Sequence, residues 1–549
     1  MSAHATERRM QDLELDPPGP GSWQLDATHW PRPVTRLMAD VYVAPFRRGF
    51  QESLRRYGLP ILGPEVRFVN GFAYSTVRPA PSDELPQRFE NAARVFKTKL
   101  WREDIRRWDE EVKPASIRGH LALQRVDPGS LGLHALLDHL EDCRAHLERM
   151  FEQHYRFNAP ALVPTGDFLV QGSELSGLPP ELLLLLLRGS APVSAGAEDG
   201  LDALGDALRG DHEGLTILES GEAPADVLAQ LRRRPDAVGA AASRYLDMVE
   251  CRLLDGFDVC YPCGFELPEL LVEAIRHAVP PGERESRDGE EELRIVRDNV
   301  PERESARFDD LLAEARSTYR LRDERSIYGS VWALGLMRRA LLAAGGRLVA
   351  AGRIEDPVHL VDADFAEIVS LVRDAAGPTG EELAARAGFR ATHAAAEAPL
   401  LLGGEPKAPP PLDGLPKPVA RVTRAIGISL QLLFGNSEAD SEERVVRGLA
   451  ASPGSHEGTA RLLAGPDELG RLRQGEVLVA ASTSEAFNVA LPLVGAIVTD
   501  SGGLLSHAAI VAREFGIPAV VGTRDATRLI ADAARVRVDG DAGEVVMLS

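Results

Sequence analysis

The residues most suited to chemistry lie near the end of the chain. They run Thr499-Asp500-Ser501-Gly502-Gly503-Leu504-Leu505-Ser506-His507-Ala508. A neutral imidazole is abundant at physiological pH and is a good nucleophile. Two glycines followed by Ser506 and His507 read as a tight turn into a helix start. Free backbone N–H groups and the positive end of the helix dipole converge there and stabilise an anion. Gly502, Gly503 and Ser506 are therefore expected to bind phosphate, and His507 can take up a phosphoryl group. Taken alone, a histidine at this position reads first as an ordinary helix-start residue with no chemical task.

The elements that must position His507 are legible on both sides. Val494 to Val498 is an apolar run and reads as a buried strand. A helical pattern starts at Ser506 and is stopped by Gly516 and Pro518. His507 is expected to be exposed in the first turn of that helix.

The run GGLLSHAAIVAREFGIPAVVGT, Gly502 to Thr523, resembles the phosphohistidine (swivelling) domain of the PEP-utilising enzymes. That group includes phosphoenolpyruvate synthase, pyruvate phosphate dikinase and rifampicin phosphotransferase. The resemblance covers about the last hundred residues. It takes in Gly448 to Gly454, Gly458 to Ala460, Val477 to Ala480 and Val538 to Gly540. It implies a swivelling β/α domain in which His507 carries the phosphoryl group. One departure is Leu505, two residues before the histidine, where the dikinases place Thr. Leu here looks more like the rifampicin phosphotransferase branch.

The rest of the chain reads as mostly helical. Residues 1 to 20 are polar, hold Pro17, Pro18 and Pro20, and read as a flexible lead-in. Trp23 and Trp30, with Pro31 and Pro33, suggest an extended segment pinned onto a larger body. Val66 to Val77, with Asn70-Gly71 at its middle, predicts a β-hairpin. Helical patterns follow over 37–57, 85–157, 179–277 (interrupted at 189–200), 308–348 and 357–372. Glu283 to Arg294 is acidic and reads as an exposed loop. The prolines between Leu402 and Pro418 read as a linker. The expected fold class is multidomain α + α/β: flexible residues 1–20, a helical acceptor-binding body over 21–400, a Pro-rich linker over 401–440 and a phosphohistidine domain over 441–549.

The body resembles the acceptor-binding part of rifampicin phosphotransferase-like proteins at Pro33 to Thr35, Leu321 to Arg325, Gly335 to Arg338, Gly346 to Leu348 and Gly352 to Ile354. The relatives carry an Arg followed by an acidic residue on the matching helix. This resemblance singles out Arg322 to clamp the phosphoryl group and Asp323 to help deprotonate an acceptor hydroxyl. The plain alternative is a solvated, salt-bridged helix face. A further basic residue of the relatives has no secure counterpart, its position falling at Ser326. His29 could help line an acceptor pocket or serve the structure alone. The histidines at 120, 134, 139, 146 and 154 share no ligand spacing, and His456 is expected to be exposed.

Composition narrows the partners. The chain has 549 residues, 44% hydrophobic and 26% charged, with a formal net charge of −21. Such a surface repels nucleic acid and anionic membrane. Cysteine is used 4 times, which points to a reducing, cytoplasmic setting. Cys260 and Cys263 form a C-x-x-C, but Cys143 and Cys251 do not complete a metal-like spacing, so no metal is expected. The N-terminus has no apolar core of a signal peptide. The run Leu182 to Leu187 is too short to span a bilayer.

No Walker-type G-x-x-x-x-G-K-[ST] is present. No ATP-grasp-like segment is read before residue 20, and no phosphoenolpyruvate-binding barrel after the histidine domain. The resemblance thus implies the acceptor and carrier parts of a phosphotransferase, with ATP and Mg2+ held by a separate ATP-grasp-type partner and a small-molecule hydroxyl, phenol-like or polyketide-like, as acceptor. The contrasting expectation is a non-catalytic small-molecule-binding or regulatory protein whose His507 is idle.

Overall fold

The computed structural model describes residues 13–192, 200–254, 256–280, 290–406, 411–435, 441, 444–463, 466–483 and 493–548. The chain divides into two compact units. One holds Met1–Ala159, Gly256–Tyr261 and Tyr328–Ala420; the other holds Pro160–Asp255, Pro262–Ile327 and Arg421–Ser549. Several expectations fall partly outside the described residues: the lead-in at 1–12, the helical interruption at 193–199, the acidic stretch at 281–289, and the linker at 407–410 and 436–440. The described end of the acidic stretch belongs to a helix, Glu290–Asp298.

The first unit is built of helices around a small antiparallel sheet. Its strands are β1 (Ser22–Leu25), β2 (Ile61–Val69), β3 (Phe72–Pro79) and β4 (Leu401–Gly403), in the order β2-β3-β1-β4. β2 and β3 are the expected hairpin. Asn70 and Gly71 both have positive φ, 50° and 86°, as the two-residue hairpin turn demands. Trp23 and Trp30 are buried, and Trp30 meets Tyr42 and Phe68 edge-on at 5.3 and 5.7 Å. The extended N-terminal segment is therefore pinned by its aromatics. Thr35 caps the helix Arg36–Arg56 by accepting from the Met38 amide at 3.1 Å.

The second unit carries an eight-stranded mixed sheet. Its strands are β5 (Val445–Arg447), β6 (Leu449–Ser452), β7 (Ser455–Leu463), β8 (Glu476–Ala480), β9 (Val494–Thr499), β10 (Ala519–Val521), β11 (Arg535–Asp539) and β12 (Glu544–Met547). The order is β5-β12-β11-β7-β8-β9-β10-β6. β7, β8, β9 and β10 run parallel, and the flanking pairs are antiparallel. β9 is the apolar run expected to be a strand. One apolar core joins Ile497 of this sheet, with Ala508 and Val511 of the helix His507–Phe515, to Phe168, Leu184, Leu187, Phe308 and Leu312 of the other helices. That shared core groups the C-terminal strands with residues 160–255 and 262–327, whereas the sequence reading ended the helical body at 400 and began the phosphohistidine domain at 441. The leucine run is buried at Leu183, Leu184, Leu186 and Leu187, with Leu182 exposed. The architecture is multidomain α plus α/β, as expected. Among the described residues no helix is long and apolar enough to cross a membrane.

Candidate functional site

β9 ends at Thr499 and delivers a loop whose backbone is held on all sides. The Asp500 and Ser501 amides donate to the Ala480 and Ala481 carbonyls at 3.1 and 2.9 Å. The Asp500 carboxylate accepts from the Thr527 amide at 2.9 Å and from the Thr527 hydroxyl. Burial raises the Asp500 carboxyl above its ordinary value, while these hydrogen bonds oppose that rise.

The two glycines serve different ends. Gly502 has φ +104°, a backbone region that L side chains rarely adopt. Gly503 is a matter of space, since a Cβ there would lie 2.2 Å from the Leu432 carbonyl oxygen. The Gly503 amide donates to the Leu433 carbonyl at 2.9 Å, and the Leu505 amide to the Leu432 carbonyl at 2.8 Å. The loop thereby satisfies carbonyls that the end of helix Lys417–Phe434 would otherwise leave unpaired. In this arrangement the Gly503 N–H is already engaged. Ser506 is the N-cap of helix His507–Phe515, and its hydroxyl accepts from the Ala509 amide at 3.4 Å. Gly516, with φ 68°, closes the helix as its C-cap.

His507 is the first residue of this helix, as its neighbours implied, but it is not exposed. It is 7% accessible. Its surroundings are polar: Nδ1 lies 3.2 Å from the Thr483 hydroxyl, and Asp323 and Arg322 both act on the imidazole. Burial pushes its pKa down to about 4; Asp323 opposes this and Arg322 adds to it. The imidazole is therefore neutral at physiological pH. The correction has a physical cause: the sequence shows what precedes and follows His507, not which helix packs over it.

Arg322 and Asp323 belong to the short helix Leu321–Arg325. Asp323 is buried. The Nε and Nη1 of Arg322 are buried with no hydrogen-bond partner among the described residues, and neither has the buried Ser326 hydroxyl. The residue as a whole is half-buried, but these two nitrogens are out of contact with solvent. Buried unpaired donors are rare and call for a ligand or a strain. The neighbouring Glu324 is committed elsewhere, paired with Arg320 through both oxygens at 2.8 Å.

Three residues that contact His507, its loop or its helix were not anticipated. Thr483 lies just after β8. Arg513 is buried and donates to the Leu504 carbonyl at 2.7 Å, the Ala451 carbonyl at 2.9 Å and the Tyr319 hydroxyl at 3.3 Å. It therefore ties the loop before His507 to β6. Glu514 accepts from the amides of Gly189 and Ala191. The only signal for the last two was that they share a helix with His507.

The remaining candidates have structural partners. His29 bonds Asp26, Nδ1 to Oδ2 at 2.8 Å. His456 is half-buried rather than exposed, 2.9 Å from the Gly475 carbonyl, because β7 lies inside the sheet. His120 and His146 are buried and bond each other at 2.9 Å. Cys260 and Cys263 are free thiols, and burial raises that of Cys260 far above its ordinary value. Among the described residues no group of His, Cys, Asp and Glu could hold a metal ion.

Comparison with known proteins agrees with this geometry. Residues 472–543 match the family described as PEP-utilising enzyme, mobile domain. A chondramide synthase of Chondromyces crocatus is 26% identical over 559 residues, covering 96% of this chain and 14% of that protein. A rifampicin phosphotransferase of a Streptomyces species is 31% identical over 385 residues, 66% of this chain and 41% of that protein. A probable phosphoenolpyruvate synthase of Archaeoglobus fulgidus is 41% identical over 109 residues, 20% of this chain and 14% of that protein. The chain thus spans less than half the length of each of these relatives.

Proposed function

We propose, for a chain that belongs to the PEP-utilising enzymes through its C-terminal domain, that His507 carries a phosphoryl group from a nucleotide-binding partner to the hydroxyl of a small molecule. The observation that carries this reading is a neutral His507 within electrostatic reach of Arg322, whose Nε and Nη1 are buried with no hydrogen-bond partner among the described residues. The names of the relatives, rifampicin phosphotransferase and phosphoenolpyruvate synthase, support phosphoryl transfer as the class of reaction.

The chemistry divides into two displacements, each easier than a single direct one. The tautomer in which Nδ1–H donates to the Thr483 hydroxyl places the ring's reactive lone pair on Nε2. Its lone pair forms an N–P bond as the donor's P–O bond breaks, and those electrons leave with the nucleotide. The acceptor oxygen then attacks the same phosphorus, and the bonding pair returns to Nε2. Asp323 is the candidate base for the acceptor proton. Arg322 offers a planar fork of donors to the phosphoryl oxygens. The amides at the start of helix His507–Phe515 add positive potential. ATP and Mg2+ are assigned to an ATP-grasp-type partner, and the acceptor is a phenol-like or polyketide-like hydroxyl compound. To meet the partner, the His507 helix would have to move away from Arg322 and Asp323; the stretch 401–440, read as a linker, holds instead the strand Leu401–Gly403 and the helix Lys417–Phe434 among its described residues. A purely regulatory protein with an idle histidine would leave the unpaired Nε and Nη1 of Arg322 unexplained.

The test is incubation of the chain with a candidate ATP-grasp protein and labelled ATP, followed by mapping of acid-labile label. Label at His507 is expected. Label absent from His507 while product still forms would refute the carrier role.

A further inference from the structure

The helix that bears His507 is held at its far end by a residue that the transfer chemistry does not use. Glu514 stands in the last turn of helix His507–Phe515. Its carboxylate accepts from the Gly189 amide at 3.1 and 3.0 Å, one contact to each oxygen, and from the Ala191 amide at 3.3 Å. Gly189 has φ 77°, and backbone N–H groups around such a residue can converge on one anion. Arg188 approaches the same helix end: a Cβ on Gly516 would lie 2.4 Å from its Nη2. The two sides of this contact are 325 residues apart in sequence.

The sign of the charge makes the contact informative. A carboxylate near a helix C-terminus opposes the helix dipole, whereas a cation there complements it. Glu514 is thus unfavourable for its own helix and is compensated by the segment 188–191. Burial also raises its carboxyl, and the amides of Gly189 and Ala191 counter that rise.

We propose that Glu514 is a positioning residue that latches the His507 helix to the segment 188–191 and so keeps the imidazole beside Arg322 and Asp323. The consequence for phosphoryl transfer rests on the carrier reading above; the latch does not. A carrier that must also meet a donor has to leave this contact. The latch therefore biases the helix towards the arrangement that faces Arg322.

The experiment compares the full chain with Glu514→Gln, which keeps the shape but turns an amide NH2 towards the backbone donors. Both are treated with diethyl pyrocarbonate at neutral pH, and each histidine is read by peptide mass spectrometry. Hydrogen exchange is followed at residues 189–191. Release of the latch is expected to raise His507 modification several-fold and to speed exchange at Gly189 and Ala191. His134 and His212 are exposed and serve as references, and buried His120 should stay unreactive. Unchanged His507 reactivity with unchanged exchange overturns the proposal. If His120 also becomes reactive, the fold has been lost and Glu514→Asp, too short to reach both amides, is read by the same two probes. A lack of change at His507 in that variant overturns the proposal equally. Should the chain never take label at His507, the carrier reading fails, yet these probes still decide the latch.

Discussion

The hydroxyl of Thr483 and the Nδ1 of His507 lie 3.2 Å apart, bringing the end of β8 to the start of helix His507–Phe515. A hydrogen bond at one ring nitrogen sets the tautomer at the other. Thr483→Val keeps the shape and deletes the bond. A net hydrogen bond of about 1 kcal/mol corresponds to roughly fivefold in rate. The expected outcome is slower labelling of His507 by that order, with Thr483→Ser near wild type. Initial rates of acid-labile labelling check it; equal rates in Val and wild type would remove Thr483 from the mechanism.

The same imidazole makes stability depend on pH. Its pKa falls from the ordinary 6.5 to about 4 in the folded chain, through burial. Between those values the unfolded chain binds the extra proton, so stability rises with pH there. The contribution is fully present above 6.5 and is lost as pH falls towards 4. Its ceiling is roughly 3 kcal/mol. Thermal unfolding from pH 7 to 4 should decline less steeply in His507→Asn than in wild type. Parallel profiles would contradict a neutral buried imidazole.

Some of this was legible in the residues and some could not be. Asn70-Gly71 announced a hairpin because few residues tolerate the paired positive φ that its turn needs. Ser506 and Gly516 marked the limits of the histidine helix through local capping, which a linear reading captures. The burial of His507 was missed because it depends on which helix packs over it. The grouping of Leu184 and Leu187 with Ile497 and Ala508 in one core was missed for the same reason. Apolar periodicity shows that a face is buried, not what buries it. Arg322 and Asp323 were singled out by resemblance to known proteins, since their own spacing suits a solvated face.

Under the proposed carrier route, Arg322 is expected to separate the two half-reactions. Arg322→Ala should leave labelling of His507 by the donor largely unchanged. Transfer from the labelled chain to acceptor should slow by about a hundredfold or more, as for removal of a charge-stabilising donor. Single-turnover transfer from pre-labelled protein reads this. A full transfer rate would return Arg322 to a structural role.

Two glycines should respond in opposite senses to alanine. Gly503→Ala places a Cβ 2.2 Å from the Leu432 carbonyl oxygen and forces apart the loop and the end of helix Lys417–Phe434. A loss of about 2 kcal/mol or more is expected, from overpacking against backbone. Gly346 lies in helix Val331–Ala350, and a Cβ there would meet nothing within 4 Å. Gly346→Ala should stabilise by about 0.5–1 kcal/mol through helix propensity. Denaturant unfolding of the two variants checks both; a tolerated Gly503→Ala would mean that the loop does not pack on that helix as described.

The central claim is that the phosphoryl group passes through His507, and His507→Ala tests it most directly. The variant is supplied with the donor partner, labelled ATP and a hydroxyl acceptor, and chain label and product are measured together with acceptor binding. The account predicts that label and product both disappear while acceptor binding is kept, because the histidine carries the group and does not hold the acceptor. Product formed at an undiminished rate by His507→Ala would contradict it.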